Sequence, residues 1–412
     1  MRRLLTCLPI VHGCGILVDD PPPGLPVHGE DDAPSCIRFL GPPKTLMPIE
    51  ADARHHPTID LLPNGGLIAT WQVGKAPAYI AARTYSPDLD PLTDESIVYR
   101  RDLRATHPQI AMLGERGVIA WTSEVTESLR VAIIDAEGHR RSDPRTLVED
   151  DALRPGRYVD LSFSPQGDLW AMWFGGNYPV PAWTIAMVPR TGPVATNEFY
   201  ARQGFDLGGP STLQHAPDGK LWVAWPEQST RWLGRTSRVF LSPVNPGLGV
   251  ERRAPVAQGE RRWERTALAF TDHTILLGWT EYPFVAGDWQ AWLMALDLDG
   301  APLGDPVTLG PGHGSMVDVD ALGDVGVVAW QEPDHRQTDI ALMLVDDHAR
   351  PLCDPVRVNE LTAPSEARAN VRLFRETADG QERLRGVVVW HTETDEPGVQ
   401  GLGGRAFEVV RP

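Results

Sequence analysis

Five glutamates in this chain stand two or three residues after a tryptophan: Glu124, Glu227, Glu281, Glu332 and Glu393. Imidazole and guanidinium groups recur at a second place in the same repeating pattern: His55, His56, His107, Arg157, Arg265, His313 and Arg368. Brought to one face, an acidic ring and a basic ring would make a polar site able to hold a cation or a sugar. A pair of carboxylates at one of two separations would suit glycoside hydrolysis. The same repetition suits Glu–Arg and Glu–His pairs that merely tie one repeat to the next, and the spacing leaves both readings open.

Three stretches carry aromatic groups: Phe174 to Trp183, Pro226 to Trp232 and Tyr282 to Trp289. Trp183, Trp232 and Trp289, with Trp263 nearby, are expected either as a patch that stacks on sugars or peptides or as lids folded over one another. Other chemistry is missing from the sequence. Gly74-Lys75-Ala76 lacks the hydroxyl of a phosphate loop, Gly312-His-Gly-Ser315 is not a nucleophile elbow, and no His-Glu-x-x-His occurs. No cofactor or metal is expected. No Cys/His spacing suits zinc, and Asp297-Leu-Asp-Gly300 reads as a hairpin turn whose oxygen ligands do not continue into a calcium loop.

The elements that must position these groups come from a repeat. Trp71, Trp121, Trp173, Trp225, Trp279, Trp330 and Trp390 each close a phrase of apolar run, turn and apolar run, at intervals of 50, 52, 52, 54, 51 and 60 residues. Leu213-Gln-His-Ala-Pro-Asp-Gly-Lys-Leu-Trp-Val-Ala-Trp225 is a representative phrase. Six of the phrases carry a turn glycine: Gly66, Gly117, Gly167, Gly219, Gly323 and Gly380. Such runs are hairpins. Further strands follow each anchor, as at Leu129 to Asp135 and Arg145 to Glu149, Gln290 to Leu296 and Pro306 to Leu309, and Asp339 to Val345 and Pro355 to Val358. Four strands per repeat at this period predict an all-β, seven-bladed β-propeller of four-stranded antiparallel blades. Runs such as Leu-Ile-Ala-Thr-Trp71 are apolar nearly throughout because neighbouring blades bury both faces of a sheet. Packing between blades is accordingly the first role of the anchor tryptophans. Only 22 residues follow Trp390, too few for a complete blade. Lys44 to Glu50 matches the outer strand of the other repeats and is expected to close the ring.

The chain of 412 residues carries a net charge of −17, which excludes a basic footprint for nucleic acid or for anionic membrane surfaces. Residues 1–14, with Arg2, Arg3 and a short apolar run before Val11-His-Gly-Cys14, are expected to be a signal peptide. Its end resembles a bacterial lipoprotein box, with lipid carried on Cys14. Simple secretion and a cytoplasmic start remain alternatives. Residues 15–43 read as a Pro-rich acidic linker, and residues 44–412 as the propeller. Membrane contact is expected only through the lipid anchor, which places the protein in the cell envelope, as an outer-membrane lipoprotein, or outside the cell. With Cys7 lost and Cys14 lipidated, Cys36 and Cys353 remain as a candidate disulfide or as two thiols.

The phrase Pro-x-apolar, Asp-Gly, apolar-x-Val-x-Trp, followed by the Asp-x-Asp-Gly hairpin and Val356-Arg-Val-Asn359, resembles the repeat of bacterial exported seven-bladed propellers over roughly residues 44–410. The resemblance implies a fold and leaves function open. The sialidase Asp box is absent, since its nearest counterpart, Ser164 to Trp170, lacks the aspartate. The reading is a binding or scaffold module for a glycan or protein ligand. The alternative is a glycosidase-like enzyme using Glu and His or Arg on the central face.

Overall fold

A computed structural model describes residues 36–410 apart from 51–53, 75–77, 101–104, 124–127, 148–154, 176–181, 202–204, 208, 230–235, 252, 261, 283–288, 311–314, 335–336, 360–365 and 394–399. The described residues form seven antiparallel sheets and no helix. The innermost strands are Arg54–Leu61, Ala105–Leu113, Pro155–Phe163, Thr212–His215, Arg262–Phe270, Ser315–Leu322 and Glu366–Ala378. Each packs against the innermost strand of the next blade, and the last packs against the first, so the ring is closed.

The anchor tryptophans occupy the second strand of each blade and are at most 2% exposed. The core between blades shows why they recur. Trp173 of the third blade packs with Ala120, Leu129 and Val131 of the second. Trp71 of the first packs with Val387 and Val389 of the seventh. Each blade therefore contributes both faces to neighbouring clusters, as its doubly apolar strands require. The glycines with left-handed φ in the first two hairpins are Gly65 and Gly114, at 78° and 61°, rather than Gly66 and Gly117.

Closure uses more chain than the sequence suggested. Lys44–Glu50 pairs with Gln400–Val409 as expected, but Ile37–Phe39 pairs with the far end of that same strand. The strand segment Ile37–Phe39 falls inside the stretch read as linker, so the propeller begins before residue 44. Cys36 and Ile37 are buried with Val388 and Trp390 of the seventh blade, which explains why this segment orders. Cys36 and Cys353 are joined by a disulfide, with Cα atoms 6.0 Å apart and a sequence separation of 317. The bridge ties the closing segment to the outer hairpin of the sixth blade. Residues 1–35, including Cys7 and Cys14, lie outside the described residues.

Candidate functional site: the axial cavity

The innermost strands surround a cavity of about 670 Å³ on the ring axis. Side chains alternate along a strand, so every second residue faces the axis. Three tiers result. The tier nearest the face that bears the loops between second and third strands holds His107, Tyr158, Pro210, Arg265, Met316 and Arg368. Two residues further along come Thr58, Gln109, Asp160, Thr212, Ala267, Asp318 and Asn370. Asp60, Ala111, Ser162, Gln214, Asp320 and Arg372 belong to the deepest tier. The intervening residues, such as Ile59, Ile110, Val159, Leu213 and Val319, are buried between blades.

The first tier is set by a repeated irregularity. The ladder between first and second strands shifts register between Thr106 and Gln109, between Pro155 and Val159, between Ser315 and Asp318, and between Ala367 and Asn370. The residue at each break adopts a left-handed backbone: His107 at φ 53°, Tyr158 at 66°, Met316 at 51° and Arg368 at 53°. A bulge of this kind re-aims a side chain, and the non-glycine residue holding it carries strain of order 1–3 kcal/mol. The His107 and Tyr158 rings meet edge to face, 5.5 Å between centroids.

The deeper carboxylates are committed to the scaffold. An innermost strand has one edge without a ladder, and its amides need other acceptors. Asp60 Oδ2 accepts from the Met112 amide of the next blade at 2.6 Å. Asp160 Oδ2 accepts from the Leu213 amide at 2.8 Å and the Thr212 hydroxyl at 2.9 Å. Asp318 and Asp320 accept from Val371 and Leu373 at 2.9 and 2.7 Å. Asn370 Nδ2 donates to the Pro57 carbonyl at 3.0 Å across the closing junction. Burial pushes the Asp160 and Asp320 carboxyls up to about 6, against the hydrogen bonds they accept, and raises Asp60 as well. Burial disfavours the Arg372 charge, but Asp318, Asp320, Asp60 and Asp160 outweigh it and hold that guanidinium charged. His215, whose Nδ1 lies 2.9 Å from Ser162 Oγ, is lowered to about 4 by burial and stays neutral near pH 7.

Other groups in the wall are uncommitted. The Tyr158 hydroxyl, the Gln109 and Gln214 amides and the Arg265 guanidinium all line the cavity, and none makes a hydrogen bond or ion pair with another described residue. These are the groups free to meet a ligand.

The sequence-predicted residues divide. His107, Arg265 and Arg368 come together on the first tier. Glu227, Glu281 and Glu332 are buried in second strands and do not line the cavity. Trp225 Nε1 donates to Glu227 Oε1 at 3.3 Å, so this glutamate serves its own anchor tryptophan. Trp183 is fully buried in the strand Ala182–Val188, edge-on to Phe174 at 5.4 Å, and belongs to a blade core. Trp289 is half-buried and stacks on Tyr282 at 4.8 Å, away from the cavity wall. Glu124, Trp232 and His313 lie outside the described residues, and Arg157 falls in the strand Pro155–Phe163 with its side chain outside the description. Asp135, Glu137 and His139 bring ligand atoms within 4.8 Å of one another on an outer hairpin. Asp135 there is already paired with Arg141 at 2.5 Å and caps its own turn. Tyr158, Gln109, Gln214 and the aspartates were missed, although polar residues at alternate positions of otherwise apolar first strands would have revealed them.

No protein-family model matches the chain, and no curated protein matches it in sequence. Solved structures do. Polysaccharide lyase Uly1 is similar over 86% of this chain and 90% of its own, at 12% identity and a TM-score of 0.53. An ulvan lyase of polysaccharide lyase family PL25 is similar over 89% of this chain and 95% of its own, at 12% identity and a TM-score of 0.54. The same kind of enzyme bound to -[GlcA(1-4)Rha3S]- is similar over 85% and 93%, at 10% identity and a TM-score of 0.53. At these identities the likeness is one of fold: the chain is a seven-bladed propeller.

Proposed function

We propose that this protein binds a carbohydrate-type ligand in the axial cavity, through the face that carries the first tier. The observation that carries this is the set of hydrogen-bonding groups in the wall with no partner among the described residues, the Tyr158 hydroxyl and the Gln109 and Gln214 amides, in a cavity whose carboxylates are mostly occupied by backbone amides. Buried polar groups are normally satisfied, and a polyhydroxylated ligand offers both donors and acceptors to such a wall. A volume of about 670 Å³ falls within the range of small-molecule sites. Neighbours of the same fold include polysaccharide lyases, which is compatible with this reading. The test is a glycan array probed with the protein and with a Gln109→Ala, Tyr158→Phe double variant. Loss of binding in the variant places the ligand in the cavity, and undiminished binding moves it elsewhere, with the Tyr282–Trp289 pair the next candidate.

A carbohydrate-active enzyme is the second reading, favoured by the His107–Tyr158 contact. There His107 and Tyr158 would exchange protons with substrate, and the three glutamates of the second strands would stay structural. Product formation from a bound oligosaccharide, lost in His107→Ala while binding persists, is the outcome that distinguishes it.

Export and lipidation at Cys14 belong to the same proposal. The Cys36–Cys353 bridge supports an oxidising compartment. Labelled fatty acid incorporated by the intact chain and not by Cys14→Ala would establish the anchor. A protein retained in the cytoplasm with both cysteines reduced would refute export.

A further inference from the structure

Arg265, Arg368 and Arg372 line the cavity, and the surroundings of Arg265 and Arg372 differ sharply. Arg372, on the deepest tier, is compensated: its Nη1 donates to Asp318 Oδ2 at 3.3 Å, and Asp60, Asp160 and Asp320 lie close enough to hold its charge. Arg265, on the first tier, has no carboxylate or hydrogen-bond partner among the described residues, yet it is half-buried and lines the same cavity. A charge withdrawn from water is normally paired, because its desolvation is otherwise uncompensated. The first-tier residues of the blades on either side of Arg265 are Pro210 and Met316, and neither carries an acid. The two positions below it on its own strand are Ala267 and Ala269, the only blade with alanine at both. Ala267 lines the cavity below Arg265, and Ala269 is buried in the core between the fifth and sixth blades, so Arg265 has apolar neighbours along its own strand.

Resting on the reading of the cavity as a carbohydrate site, we propose that its ligand is anionic, and that Arg265 is the specificity-determining residue that receives a carboxylate or a sulfate ester of the saccharide. The guanidinium fork matches either group with two parallel hydrogen bonds. The sugar ring would lie against Ala267, and its hydroxyls would reach Gln109 and Tyr158 across the axis. His107 and Tyr158 belong to the second and third blades and Arg265 to the fifth, so the anion and the two rings meet the ligand from opposite sides. Arg265 makes no hydrogen bond or ion pair with another described residue, so the fold is expected to tolerate its replacement.

The test measures affinities of the full-length protein for three oligosaccharides of equal length: one with hexuronate, one neutral but sulfated, and one neutral and unsubstituted. Wild type, Arg265→Ala and Arg265→Lys are compared, with melting temperature as a second readout. The expected result is preference for one or both acidic probes and a loss of about 10- to 100-fold in Arg265→Ala. Arg265→Lys should show a smaller loss, because it keeps the charge and loses the fork. The melting temperature should be unchanged or raised, whereas a structural arginine would lower it. Which acidic probe binds separates carboxylate from sulfate. Equal affinity for neutral and acidic probes, unaffected by Arg265→Ala, overturns the anionic inference and leaves the cavity reading standing. Failure of all three probes to bind overturns both.

Discussion

The His107 and Tyr158 rings meet across the junction of the second and third blades, 5.5 Å apart and inclined at 71°, and both residues stand in the left-handed backbone region. Two strained residues in contact at the mouth of a cavity point to a function for the bulge that holds them.

That strain can be measured. Glycine accepts a φ of 53° at no steric cost and alanine does not. His107→Gly should be more stable than His107→Ala by about 1 kcal/mol in urea unfolding. Both variants should lose affinity for the cavity ligand equally. An alanine variant as stable as the glycine variant would mean the position is not strained.

The buried aspartates give a pH signature. The folded-state values of Asp160 and Asp320, about 6, lie above the ordinary 3.8, so their contribution to stability is present below 3.8 and lost as the pH rises through about 6. His215 has the opposite sign: its value of about 4 lies below the ordinary 6.5, so its contribution is present above 6.5 and lost as the pH falls through about 4. The two effects overlap, and a variant is needed to separate them. The stability of wild type relative to Asp160→Asn should rise by on the order of 1–3 kcal/mol between pH 7.5 and pH 4.5. A difference that stays constant over that range would show that Asp160 keeps an ordinary carboxylate.

The disulfide should act on closure of the ring. A bridge between residues 317 apart constrains the unfolded chain strongly, and its loss is expected to cost about 3–5 kcal/mol. In a Cys36→Ser, Cys353→Ser double variant, hydrogen exchange should speed up first in Gln400–Val409, the strand that both closing segments pair with. Uniform acceleration over all seven blades would argue that the ring opens as one unit.

Glu227 separates scaffold from site. It is 2% exposed, accepts from Trp225 and does not line the cavity. Glu227→Ala should destabilise the protein by roughly 1–3 kcal/mol and leave ligand affinity unchanged. A loss of affinity with unchanged stability would return the glutamate ring to the site.

The blade count, the four-strand repeat, the closing strand and the buried role of the anchor tryptophans were legible in the sequence because burial on two faces imposes a composition and a turn imposes a period. Trp71 and Trp390 announce their packing by the apolar runs that precede them. The sequence also set His107, Arg265 and Arg368 just before the first strand by their distance from the anchor, and the structure puts them within that strand. It did not separate Arg265 from Arg372, or Glu227 from a ligand-facing acid. Whether a charge is paired depends on side chains from other blades: Arg372 meets Asp60, which precedes it by more than three hundred residues, and Arg265 meets no acid among the described residues. The bulge that turns His107 and Tyr158 into the mouth is likewise a property of ladder register, which is set by pairing between strands and not by the composition of either one.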